Sequence, residues 1–348
     1  MFETVLNNIL PFLIILTILV FVHELGHYLI ARLNKVKVEV FSIGFGHELF
    51  GFNDKQGTRW KFSLIPLGGY VKMHGDLDAA STKTKTKGVN PEVSFYNKKV
   101  SQRSWILFAG PAANFIFSFF LLVFMNIFYG YSQNKPIISQ VEENQPADLA
   151  GLQKGDIIIE VNGNTINDLI ALKSELSKFN NAEVIVTYSR DNVINDTKLI
   201  VSNNRIGIRG TVEIQKLNFI DSTIKSANQI YDFVRLTLVG IFEIFTGSRG
   251  TEDLGGPIRI AELSADFWSK GLESTLWFMM IISLNLGLIN LFPIPMLDGG
   301  HLVLNFIEFI KGKPLNKKSL EVIHSIGFII LISLMLFATY NDVSRFFR

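Results

Sequence analysis

His23, Glu24 and His27 stand together in the stretch FVHELGHYLI. On a helix, residues four apart share one face, about 40° apart in projection and about 6 Å apart along the axis. Two imidazoles so placed can share one metal ion. The glutamate beside the first projects about 100° round, within reach of a water on that ion. This is zinc-hydrolase chemistry: two His ligands, a Glu that takes a proton from water, and a metal that brings the water pKa to about 7. The setting sharpens the reading, because residues 6–31 are otherwise dominated by Leu, Ile, Phe, Val and Thr and are long enough to cross a bilayer. On insertion scales, Asp, Lys or Arg at such depth costs about 2.5–3.5 kcal/mol apiece, so ionisable groups there mark function. The plain alternative, two histidines satisfied by backbone carbonyls, leaves a buried glutamate with no purpose.

Zinc needs a third protein ligand, and the chain has no cysteine. Thiolate sites and disulfides are therefore excluded, and any metal is held by nitrogen and oxygen. The other apolar segments offer Asp298, His301, Glu308, Glu321 and His324. Asp298 follows a segment broken by Pro293 and Pro295 and precedes Gly299 and Gly300. Non-helical backbone at membrane depth is tolerated where it is packed in protein or lines a wet cavity. Asp298 fits such a cavity better than Glu321 or His324, which are placed like surface residues near a loop. His301 competes with it, and spacing does not choose between them. His47, His74 and His324 read as structural or exposed.

The elements that must position these residues follow from the distribution of apolar blocks. The chain has 348 residues, 48% of them hydrophobic, and a formal net charge of +2. Nothing in that balance suggests nucleic acid. Four segments look able to span a membrane: about 5–31, 105–129, 276–297 and 322–339. The N-terminus lacks the basic region and cleavage site of a secretory signal, so the first span reads as retained. Residues 32–103 hold 13 Lys+Arg against 6 Asp+Glu, whereas residues 131–274 hold 14 against 19. By the positive-inside rule the long middle region and both termini lie outside the cell, with His23, Glu24 and His27 near the cytoplasmic end of their helix. The lysines of 311–318 serve that topology.

Residues 36–75 alternate β-branched, aromatic and glycine positions, which suggests hairpin strands beside the membrane, followed by a polar linker, STKTKTKGVNPE. Short β-type runs from Pro136 to about Glu213 (IISQV, DIIIEV, EVIVTY, TKLIV, RIGI) indicate a small soluble domain. Residues 230–245 are apolar but carry Asp232, Arg235 and Glu243, the pattern of an interfacial amphipathic helix, with a fifth span as the alternative that would upset this topology. The expected organisation is a helical polytopic membrane core over 1–130 and 275–348, an inserted mixed α/β domain over 131–215, and the interfacial helix with a linker over 216–274.

HELGH in a first span, with NLFPIPMLDGGH in a late one, resembles the site-2 protease family of intramembrane zinc metalloproteases. The similarity is close to the bacterial branch that cleaves anti-sigma factors in regulated intramembrane proteolysis. It extends through PLGGYVKM, SQRSWILFAGPAANF, GLQKGDIIIEVNG and LGGPIRIA. The resemblance implies that His23, His27 and Asp298 bind Zn2+ and that Glu24 is the general base. It further implies that Asn290 holds substrate near the metal, and that Gly68, Gly69, Tyr70, Val71, Lys72 and Met73 belong to a membrane-associated β-hairpin that pairs with extended substrate. A strand edge makes physical sense in that role, since a helical peptide bond must be unwound before it can be cut. GLQKGDIIIEVNG looks like part of a PDZ domain, a fold that takes chain ends by strand addition. Some relatives carry two such domains in tandem; the space between Ile137 and Arg209 holds one.

The implied substrates are single-span membrane proteins, such as an anti-sigma factor, or remnant signal peptides, cut in the bacterial inner membrane. Two rivals come from other classes. A metal transporter also places His and Asp in the membrane, but it has no need of Glu24 beside a ligand or of a PDZ domain. A silent PDZ scaffold has no need of an intact His23, Glu24, His27 and Asp298.

Overall fold

A computed structural model describes residues 2–75, 90–133, 136–202, 205–211, 213–248, 250 and 255–345. The linker expected from 81 to 92 falls mostly outside these residues. The chain divides into two compact units, one made of 1–124 with 222–348, the other of 125–221.

In the first unit, helices α1 (Phe2–Leu33), α2 (Val100–Phe128), α7 (Leu272–Asn290) and α9 (Lys317–Arg345) are long and apolar. Among the described residues four segments are long and apolar enough to cross a membrane: Ile9–Leu33, Val100–Phe128, Leu272–Asn290 and Lys318–Arg345. Ile15 and Leu19 of α1 pack against Phe278 and Met279 of α7. Helix α8 (Asp298–Lys311) follows the proline-broken segment and stops at Gly312, whose φ of 66° is the left-handed cap that glycine favours.

Strands β1 (Val38–Asn53) and β2 (Arg59–Met73) form the hairpin. Their register shows that the hairpin is folded over on itself. Residues Val40 to Ile43 pair with Arg59 to Phe62 on one side and with Gly69 to Lys72 on the other. The result is four segments in the order 48–53, 59–63, 38–43, 69–73, the central two running parallel and the outer pairs antiparallel, with the last at an edge. Asp54 in the turn accepts from the Tyr28 hydroxyl of α1 at 3.0 Å and from the Trp60 indole at 3.2 Å, which ties the turn to α1.

Sequence reading expects a 16-residue interfacial helix at 230–245; helix α5 instead runs Phe219–Thr246, 28 residues. Asn218 starts it early, its side-chain oxygen accepting from the Asp221 N–H at 2.9 Å as an N-cap. The segment expected as linker contains helix α6 (Pro257–Ser269). Its free N-terminal N–H groups are satisfied from far away. The Asp342 carboxylate, 2% exposed on α9, accepts from Gly256, Ile258 and Arg259 at 2.8, 2.9 and 3.1 Å.

The second unit holds β3 (Tyr131–Gln133), β4 (Ile138–Val141), α3 (Pro146–Leu149), β5 (Ile157–Val161), β6 (Asn164–Thr165), α4 (Leu169–Leu176), β7 (Glu183–Arg190), β8 (Val193–Ile200), β9 (Ile208–Gly210) and β10 (Glu213–Gln215). Strands β6-β5-β7-β8 make one sheet, and β4 pairs with β9. The core is Ile138, Ile158, Val161, Val184, Val186 and Ile206, with Leu172 and Leu176 of α4. Asp156 of the GLQKGD turn is 1% exposed and takes a two-pronged contact from Arg190, 2.7 Å at each oxygen.

Candidate metal centre

The site is built from three helices of the first unit. Helix α1 presents His23 and His27, 8% and 7% exposed, on one face. Helix α8 begins at Asp298, where a carboxylate suits the helix dipole. His23 Nε2 lies 3.2 Å from Asp298 Oδ2, His27 Nε2 lies 3.4 Å from the same oxygen, and the two Nε2 atoms are 3.2 Å apart. Three donor atoms thus form a nearly equilateral triangle. Tetrahedral zinc, with donors at 2.0–2.1 Å, sets its ligands about 3.3–3.4 Å from one another, so the triangle has the edge lengths of one face of that tetrahedron. Among the described residues this is the one group of three metal-capable side chains that meets so closely.

The tautomers suit the same purpose. His27 Nδ1 donates to the Ile106 carbonyl of α2 at 2.8 Å, which leaves the Nε2 lone pair free. His23 Nδ1 sits 3.2 Å from the side-chain amide of Asn114, whose Oδ1 is otherwise buried without a partner. With the amide oriented so that Oδ1 faces His23, it accepts the Nδ1–H. Both histidines then turn Nε2 lone pairs to the same point, as a cation requires. Asn114 is itself fixed, its carbonyl accepting from Ser118 Oγ at 2.9 Å and from Ser283 Oγ of α7 at 3.0 Å.

Close approach depends on glycine. A Cβ added at Gly110 of α2 would lie 2.2 Å from His27 Nε2, and one at Gly26 would lie 2.3 Å from the Ala109 carbonyl. Gly299 and Gly300 pack in the same way on the carbonyls of Leu291 and Ile294. In the turn before Asp298, Met296 holds a φ of 81°, a costly conformation for a non-glycine residue.

The other residues singled out in the sequence fall as follows. Glu24 is half-buried on α1. Gly69 lies against it, since a Cβ there would be 2.8 Å from Val20 Cγ1 and 3.1 Å from Glu24 Cγ. Edge residues Gly69 to Met73 therefore run beside the α1 turn that carries Glu24, with Gly68 just before them. Tyr70 stacks on Phe45, and Lys72 pairs with Glu39 at 3.1 Å. Asn290 ends α7, half-buried, eight residues before Asp298. Of the rival ligands, His301 packs its ring on His324, 5.4 Å between centroids, and Glu308 pairs with Arg103. Glu321 is exposed on α9. His74 is taken up by Glu39 at 2.8 Å. Sequence reasoning missed Asn114, although an amide in an uncharged span is itself a signal.

The sequence profile of Peptidase family M50 matches residues 11–334. Curated relatives align over nearly the whole chain, and each is described as a candidate zinc metalloprotease. A protein of Rickettsia conorii is 37% identical, covering 98% of this chain and 99% of its own. One from Agrobacterium fabrum is 36% identical over 97% and 95%, and one from Campylobacter jejuni is 36% identical over 95% and 92%. Among solved structures, the PDZ domain of the SdrC-like protein from Listeria monocytogenes aligns with 23% of this chain and 92% of that one, at 19% identity and a TM-score of 0.21.

Proposed function

The chain belongs to peptidase family M50 and is a membrane-spanning zinc metalloprotease, and from that premise we propose that His23, His27 and Asp298 hold the zinc and Glu24 is the general base. The observation that carries the ligand set is the triangle of two Nε2 atoms and Oδ2 with edges of 3.2, 3.4 and 3.2 Å. Zinc bound there supplies Lewis acidity, acidifying water and polarising a carbonyl. Glu24 takes the proton of the attacking water and returns it to the leaving amine. His27 keeps its ligating tautomer through Ile106, and His23 through Asn114.

The same reading gives the folded-over hairpin a task. Residues Gly68 to Met73 offer an edge beside Glu24 on which an unwound substrate segment adds as a further strand. Asn290, at the end of α7, steadies that segment. Substrates are transmembrane segments of single-span proteins, an anti-sigma factor or a remnant signal peptide, in a bacterial inner membrane. Unit 125–221 is a PDZ domain, a reading supported by its GLQKGD turn and its small strand-rich core; a peptide chain end is its candidate ligand. Basic loops favour an orientation with this domain and both termini outside, and with the metal near the cytoplasmic face.

The test is cleavage of a single-span model substrate by the purified chain in detergent, beside Glu24→Gln. Wild type cuts and a zinc chelator stops it; Glu24→Gln binds zinc and does not cut. Equal cleavage by both proteins removes Glu24 from the mechanism.

A further inference from the structure

The stretch SQRSWILFAGPAANF holds one charged residue that the metal reading leaves unused. Arg103, 5% exposed in the first turn of α2, donates from Nη2 to Glu308 Oε1 at 2.6 Å. Glu308 lies on α8, ten residues beyond Asp298. The neighbouring Ser104 Oγ accepts from Asn305 Nδ2 at 3.3 Å. Asn305 follows Asp298 by seven residues, two turns along the helix and within about 20° of the same face. Two residues further along α2 is the Ile106 carbonyl that orients His27. Residues 103–106, about 4.5 Å of helix rise, thus grip both the histidine of α1 and the helix that begins with the aspartate.

Between helices in a bilayer there is no hydrophobic drive to fix register, because lipid tails are as apolar as leucine. The far side of α8 is exposed at Phe306, Phe309 and Ile310. Polar contacts with α2 therefore help set its height and rotation, beside the close packing of Gly299 and Gly300 at its start. A buried ion pair contributes little net stability, and its best-attested use is to select one register.

We propose that Arg103 is a positioning residue for the metal centre: through Glu308 it sets α8 at the height where Asp298 meets the two imidazoles. The inference rests on the ligand set proposed above.

Its test uses the full chain in detergent, with zinc affinity measured by chelator competition and site geometry by the electronic spectrum of the cobalt-substituted protein. The double variant Arg103→Met with Glu308→Leu removes both charges while keeping volume, so the metal-free protein is expected to melt near the wild-type temperature. Its zinc affinity is expected to fall at least about tenfold, as when outer partners of a metal site are lost, and its cobalt bands are expected to shift. The exchanged pair, Arg103→Glu with Glu308→Arg, is expected to recover most of that loss. Wild-type affinity and spectrum in the Met/Leu protein overturn the proposal, and so does an exchanged pair that recovers nothing. Should the Met/Leu protein fail to fold, Glu308→Ala replaces it, removing the carboxylate that Arg103 reaches; wild-type affinity there also overturns the proposal. His27→Ala separates the two readings. If it keeps wild-type zinc affinity the ligand set itself is wrong; if it loses zinc while the Met/Leu protein does not, only the role of Arg103 falls.

Discussion

Replacing Gly110 by alanine is the smallest change that should empty the metal site. Helix propensity alone predicts a gain, since alanine is favoured over glycine inside a helix by about 1 kcal/mol. The structure predicts the reverse for metal binding. The added Cβ would stand 2.2 Å from His27 Nε2, 2.6 Å from Cε1 and 2.8 Å from Cδ2. Non-bonded heavy atoms rest about 3.5 Å apart, so the ring must withdraw by more than about 1 Å. A zinc ligand tolerates about 0.2 Å. Nor can the ring pivot freely, because Nδ1 is held at 2.8 Å by the Ile106 carbonyl. Losing an outer partner of a ligand typically weakens a site about 10–100-fold; displacing the ligand atom itself should exceed the upper figure. The assay is chelator competition on the purified chain, with circular dichroism to confirm that helix content is retained. A Gly110→Ala protein that folds and binds zinc as wild type does would refute the reasoning, because His27 Nε2 would then have another place to be.

Two further outcomes follow from single side chains. Asn114→Leu removes the acceptor for His23 Nδ1–H at nearly constant volume, and zinc affinity should drop about tenfold; titration with a competing chelator reads it, and an unchanged affinity would mean that His23 takes its tautomer from elsewhere. Asp54 governs an acid transition of the hairpin. Burial works against its ionisation, but the Thr58 N–H, the Trp60 indole, the Gln56 N–H and the Tyr28 hydroxyl outweigh that and bring its pKa down to about 2. Because the folded value lies below the unfolded one of about 3.9, the stabilisation is complete above about pH 4 and is lost as pH falls toward 2. Hydrogen exchange of β1 and β2 should accelerate over that window, and Asp54→Asn should abolish the pH dependence.

What could be read in advance was the part of the chain that violates its surroundings. Two histidines and a glutamate in an apolar helix, and an aspartate after a proline-broken one, announce themselves because charge is costly in lipid. The strands of unit 125–221 and the hairpin strands were legible for the opposite reason, a regular alternation bounded by turn residues. Illegible were the features whose cause lies far away in sequence. Helix α6 has Gly256 at its cap position instead of Ser, Thr, Asp or Asn, and its N–H groups are capped by Asp342, 86 positions on. Folding of the hairpin into four segments depends on residues 40–43 pairing twice, which no local pattern records. Composition left Asp298 and His301 level; the structure turns one toward the histidines of α1 and sets the other edge-to-face with His324.

Polar residues of the first unit that look like unrelated oddities in three spans belong to one connected line. Ser118 Oγ reaches the Met280 carbonyl at 3.2 Å and the Asn114 carbonyl, Ser283 of α7 reaches that same carbonyl, and the Asn114 side chain reaches His23. Ser118, Asn114 and Ser283 are all fully buried, where an unmatched polar atom costs about 1–3 kcal/mol. Each is therefore held to its partner by the penalty of letting go. Small hydroxyls do this without spreading the helices, since they fit where α2 and α7 approach closely at Gly287, whose Cβ position lies 3.0 Å from the Pro111 carbonyl. The line begins at the backbone of α7 and ends at a ring nitrogen of α1. On the proposed ligand set, a metal site in lipid could not rely on water to correct a misplaced ligand, so the orientation of His23 would have to be specified by the helices themselves, and the seam of hydrogen bonds across α7, α2 and α1 is suited to specify it.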